Sequence, residues 1–144
     1  MSTKQFAIWS LFGCLCFMIG CGDGKKLLPV TGVVKVDGNP AEGAVVMFFP
    51  ASPDAPISTA NCGPDGKFSV ITDMAPGIPA GTYQVTIRWP DPKVKPTEAQ
   101  KMTGMFNDPP DLLKGKYENK AKSGLKAEIT SSTTDLPAFE LTTK

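Results

Sequence analysis

Residues 81–89 alternate without a break. Tyr83, Val85, Ile87 and Trp89 hold one parity; Thr82, Gln84, Thr86 and Arg88 hold the other. Successive side chains of a strand point to opposite faces, so this period of two specifies a strand with one face in a core and one in water. Parity also assigns Trp89 to the core or its edge rather than to an exposed ligand platform. A strand of this kind needs further apolar strands to pack with, and the sequence supplies them.

Residues 30–36 (VTGVVKV) are β-rich, with Val30, Val34 and Val36 on one parity and Lys35 on the other. Asp37-Gly38 follows, a strong hairpin signal, because a type I′ turn needs positive φ at both central positions. Residues 44–49 (AVVMFF) are nearly all apolar. So dense a run predicts a central strand buried on both faces. Residues 50–56 (PASPDAP) read as a surface loop and 57–62 as a weaker strand. Pro64-Asp65-Gly66-Lys67 is a second turn, with Pro setting φ and Gly accepting a positive one. In 68–72 (FSVIT), Phe68 and Val70 share a face and Ile71 breaks strict alternation. Residues 73–80 form another loop.

Residues 90–119 lack strand periodicity. This span of about 30 residues is long for a structureless loop in a compact domain, and it reads as a short helix around 97–102 or a flap. Within 122–130, Leu125, Ala127 and Ile129 oppose Lys126, Glu128 and Thr130; in 136–142, Phe139 and Leu141 point inward. The 14 prolines and 14 glycines are spread between these runs, as turns between strands are. The expected fold class is therefore all-β: a seven-stranded, Ig-like antiparallel sandwich with one long loop at about 90–119.

The first residues have another character. Lys4 is the only charge before Asp23, and residues 6–20 (FAIWSLFGCLCFMIG) carry no charge and no proline. That is the plan of a signal peptide, and the run is short for a bilayer span, which wants about 20 apolar residues. Residues 18–21, Met-Ile-Gly-Cys, resemble a bacterial lipobox, with Met where Leu is usual. The resemblance implies cleavage before Cys21 and acylation of its Sγ. Residues 1–20 are then the signal peptide, 21–26 the lipidated N-terminus and flexible tether, and 27–144 one β domain held to a membrane. Lys25 and Lys26 in the tether give only a weak attraction to anionic headgroups.

Without residues 1–20 and Lys4, 14 basic residues face 14 acidic ones, so no nucleic-acid partner is indicated. Cys14 and Cys16 lie in the signal and Cys21 is taken by lipid. Cys62 is left alone, with no disulfide partner, and reads as a small buried hydrophobe. There is no histidine. Ser58, Ser69 and Thr86 thus lack the commonest activating base, and no metal or other cofactor is indicated. Asp108 and Asp111 flank two prolines; as a carboxylate pair or a Ca²⁺ site they supply few ligands, and they read as solvated loop charges. Asp37 and Asp65 are explained by turn chemistry. The lysines of 93–126 are interleaved with Glu98, Asp108, Asp111 and Glu118, which cancels much of their field and leaves a solvated loop.

The succession VTGVVKVDGNPAEGAVVMFFP, CGPDGKFSV and PAGTYQVTI is similar to the carboxypeptidase regulatory-like, or transthyretin-like, sandwich. GKYENKAKSGLKAEI and DLPAFEL resemble the ending of many small bacterial lipoproteins that carry this domain. The resemblance covers roughly residues 27–142 and rests on turn glycines and core apolars. It implies an accessory, binding or structural module, not an enzyme; the enzyme branch of the fold uses histidines. Three functions follow as expectations. The first is an envelope lipoprotein, facing periplasm or exterior, with a non-catalytic module for an envelope protein or glycan. The second is a spacer or surface-coat component that assembles through sheet edges. The third is a hydrolase with 90–119 as flap.

Overall fold

The structure is a computed structural model that describes residues 26–104 and 108–144. The expected signal segment 1–20, Cys21 and tether residues 22–25 lie outside the described residues. In chain order the strands are β1 (Leu27–Leu28), β2 (Thr31–Val36), β3 (Asn39–Pro40), β4 (Val45–Pro50), β5 (Ser58–Asn61) and β6 (Lys67–Ser69). Then come β7 (Ile71–Thr72), β8 (Ala75–Pro76), β9 (Ile78–Pro79), β10 (Gly81–Arg88), the short helix α1 (Glu98–Thr103), β11 (Leu125–Ile129) and β12 (Phe139–Leu141).

The chain is all-β in class. One sheet has the order β11-β10-β4-β5-β7-β8, every pair antiparallel. The second is centred on β2, with β12 along one edge and β6 then β3 along the other. β1 and β9 form a separate antiparallel pair. The sheets meet through aromatic rings: Phe68 of β6 lies 6.2 Å from Phe48 of β4 and 6.2 Å from Phe139 of β12. Phe48 also meets Tyr83 edge-on at 6.3 Å. Gly32 leaves room for this cluster, since a Cβ there would stand 2.4 Å from the Phe68 ring. Tyr83 donates its buried hydroxyl to Pro79 O at 2.8 Å, fastening the approach to β10 as a tyrosine corner fastens a sandwich.

All seven expected runs contain strand, but four features differ from expectation. Residues 68–72 divide between the sheets: β6 pairs with β2, β7 pairs with β5, and buried Val70 is the crossing point. The break in alternation at Ile71 lies beside that crossing, where Ile71 faces outward and Thr72 inward. β12 is parallel to β2, so the fold is not wholly antiparallel. β4 is central, yet Val45, Met47 and Phe49 on its outer face are only half covered. In β10, Thr86 of the expected wet face is 5% exposed. The cover is residues 111–124, which run back along the edge of β10: Tyr117 O accepts from Ile87 N at 3.0 Å and Ser123 Oγ donates to Val85 O at 2.7 Å.

The expected long loop 90–119 therefore has two parts. α1 begins at Thr97, whose side chain accepts from Gln100 N while Gln100 Oε1 accepts from Thr97 N, a reciprocal capping box. It ends at Gly104 in the left-handed conformation and buries none of its residues. Residues 108–124 form a strap held against the body, and Leu113 enters the core.

The ladders also define two ends of the body. Pro50, Ile57, the 73–74 turn and the start of β10 lie at one; Val45, Asn61 and Arg88 lie at the other. β1 opposes Pro79, two residues before β10, so the described chain starts at the first end.

Candidate functional site

A catalytic centre needs a nucleophile beside a base, a carboxylate pair or a metal cluster. Ser58 is fully buried and its Oγ lies 2.7 Å from Thr72 Oγ1. Thr72 Oγ1 gives its proton to Gly77 O at 2.7 Å, so Ser58 donates to Thr72 and its hydroxyl is committed. Ser69 is exposed, on the rim of a groove with Asn61, Lys67 and Asp135. Thr86 lies beneath the strap. Among the described residues, no three Cys, Asp or Glu side chains gather as a metal site.

Asp111 differs from the solvated charge expected. Its Oδ1 accepts from Trp89 N at 2.8 Å and Leu113 N at 3.1 Å, and its Oδ2 accepts from Gly115 N at 2.7 Å. The carboxylate organises a turn and pins the strap to the end of β10. Asp108 stays exposed, 3.8 Å from Arg88 Nη1, while Arg88 Nη2 donates to Pro109 O at 2.9 Å. Trp89 closes the same end: half-buried against the core, it donates Nε1–H to Glu42 O at 3.0 Å.

The other candidates are structural in their contacts. Asp65 accepts from Lys67 N at 3.1 Å, and this bond is the main reason its carboxyl is held below the usual range. Cys62 is buried, and burial, aided by the Asp65 charge, pushes its thiol up from 9.0 to about 11. It is therefore a protonated thiol at neutral pH and a poor nucleophile. Asp37 does more than turn the chain: its Oδ2 accepts from Thr143 Oγ1 at 2.6 Å, fastening the C-terminal residues. Of the lysine-rich stretch, Lys101 pairs with Glu98, Lys116 donates to Thr142 Oγ1 and Lys120 stands 5.5 Å from the centre of the Phe49 ring. These groups are dispersed over the helix, strap and sheet face, with no single basic patch formed by their contacts.

Two surface features remain. A groove of about 480 Å³ opens between β11 and β12, floored by Leu125, Ala127, Leu136 and Phe139 and flanked by Lys126 and Glu128. Both strands are sheet edges there: β11 pairs only with β10, and β12 only with β2, among the described residues. The second feature is a pair of turns. Asp37-Gly38, at φ 49° and 81°, is the expected hairpin turn. Asp73-Met74, joining β7 to β8, repeats that backbone at φ 49° and 65° with methionine in the glycine position. Met74 is 98% exposed. Sequence reasoning passed over it because Asp-Met carries no turn signal; the positive φ emerges only once β7 and β8 pair.

No family model matches the chain, and no curated protein sequence matches it. A solved structure, the 9R-lipoxygenase from Cyanothece PCC8801, aligns with 97% of this chain and 18% of its own, at 14% identity and a TM-score of 0.38. The chain thus spans under a fifth of that enzyme, and a likeness this weak carries no argument about fold or chemistry.

Proposed function

We propose that this chain is a bacterial envelope lipoprotein, anchored by acyl chains on Cys21, whose β body is a non-catalytic binding or interaction module. Within the all-β class, the reading assigns residues 27–144 to one domain, a seven-stranded transthyretin-like sandwich of the carboxypeptidase regulatory-like kind. The observation that carries it is the uncharged run 6–20 ending in Met18-Ile19-Gly20-Cys21. A single acyl chain holds a protein only reversibly, so lasting attachment takes more than one. The non-catalytic part is supported by how candidate groups are used: Ser58 and Asp111 are committed to internal hydrogen bonds, and Cys62 is buried and protonated.

Cell fractionation tests the anchor. The wild-type chain is expected in the membrane fraction, released by detergent and not by salt, and Cys21→Ala is expected to remain unacylated. Equal acylation of both chains would remove the reading. Turnover in esterase, peptidase or glycosidase panels that vanished on Asp108→Asn would replace it with the hydrolase. One observation favours the spacer reading as a second: the outer edge of β11 has no ladder partner among the described residues, and such an edge can pair with another chain. Concentration-dependent assembly lost on Lys126→Pro would support it; a strict monomer at high concentration would remove it.

A further inference from the structure

Met74 presents a puzzle of placement. A bulky residue at positive φ is a strained choice in a two-residue turn, and the same chain uses glycine for the same turn at Gly38. The Met74 side chain packs against nothing in compensation, since it is 98% exposed. Ile57, 48% exposed, is next along the β5–β7 ladder, opposite Asp73. The fold thus holds two apolar side chains outward at one end of the body.

That end is where the described chain begins. β1 lies against β8, whose Ala75 directly follows Met74. The approach is close: a Cβ on Gly77 would stand 3.0 Å from Leu27 Cβ. From Leu27 back to Cys21 there are six residues, which reach about 20 Å at full extension. An acylated Cys21 therefore keeps the 73–74 tip within a short distance of the bilayer. Of the charges at that end, Lys26 beside β1 stands against Asp73, with Asp54 already engaged. The attraction would thus be apolar.

We propose that the Asp73-Met74 tip, with Ile57 beside it, inserts into the interfacial region of the membrane that holds the lipid anchor. The tether limits distance; the tip fixes orientation, so that Trp89, the strap and α1 at the opposite end face away from the bilayer. The proposal rests on the lipoprotein reading, and its test separates the two.

The acylated mature chain, residues 21–144 with Trp89 as its one tryptophan, is reconstituted in vesicles of phosphatidylethanolamine and phosphatidylglycerol with brominated acyl chains, which quench tryptophan on contact. The wild-type chain, whose Trp89 is at the far end, sets the baseline. Met74→Trp is expected to be quenched at least twofold more strongly than that baseline, at low and high salt alike. Ile57→Trp is expected to be quenched with Met74 present and to return to baseline when Met74→Asp is added. Unfolding midpoints verify that each variant is folded. Quenching of Met74→Trp no greater than baseline on vesicle-bound protein overturns the insertion and leaves the anchor standing. If residues 21–144 with Cys21→Ala, which carry neither acyl chains nor the apolar run 6–20, bind the vesicles as well as the acylated chain, the anchor reading fails while the quenching at position 74 still decides insertion. A chain that never binds vesicles overturns both.

Discussion

The turns at Asp37-Gly38 and Asp73-Met74 share their backbone and differ in what they do with it. At the far end of the body, Gly38 accepts a positive φ with no side chain to strain, and Asp37 fastens Thr143. At the end where the chain starts, Met74 accepts it at a cost of about 1–2 kcal/mol for an L-residue in the left-handed region. Met74 makes no compensating burial. The far end is built to close, with Asp111, Trp89, Arg88 and Asp37 tying loops to strands. The near end gives up stability to hold an apolar side chain in water. Such a local conflict, uncompensated among the described residues, is what the proposed contact outside the chain would explain.

The largest expected effect belongs to the far end. Asp111→Ala removes the acceptor of three backbone N–H groups, and chemical denaturation should show a loss of about 3 kcal/mol. A loss below about 1 kcal/mol would mean that water replaces the carboxylate and the end is not closed as described. Tyr83→Phe sharpens the contrast at the near end, where it strips Pro79 O of its buried donor for about 1–2 kcal/mol. The turns themselves should then respond with opposite signs. Gly38→Ala is expected to destabilise by about 1 kcal/mol and Met74→Gly to stabilise by about as much. The same sign for both would break the comparison. The smallest effect is in pH. Cys62 has its thiol raised from 9.0 to about 11, so the folded chain holds that proton more tightly than the unfolded one. Its contribution is complete below pH 9 and lost as pH rises through about 11. Unfolding measured across that window should fall less steeply in Cys62→Ala than in wild type.

How much of this was legible in the sequence depended on the range of the interaction that decides each feature. Asp37-Gly38 could be read because two adjacent residues specify the turn. α1 could be read in position, since Thr97 and Gln100 form its cap across one turn. The inward faces of β10, β11 and β12 followed from alternation alone. The parallel pairing of β12 did not, because side-chain parity is the same in parallel and antiparallel strands. The cover over Thr86 was hidden too: the strap has no periodicity, and Asp111 holds it through backbone N–H groups that converge only after the chain has turned. Met74 was invisible for the same reason.

In the proposed reading Cys21 sets the distance from the membrane, and intact-mass analysis of the protein extracted from membranes tests that most directly. The expected result is a chain that starts at Cys21 and carries the added mass of acyl groups, with no acylated species from Cys21→Ala. A full-length chain that keeps residues 1–20 and bears no added lipid would contradict it.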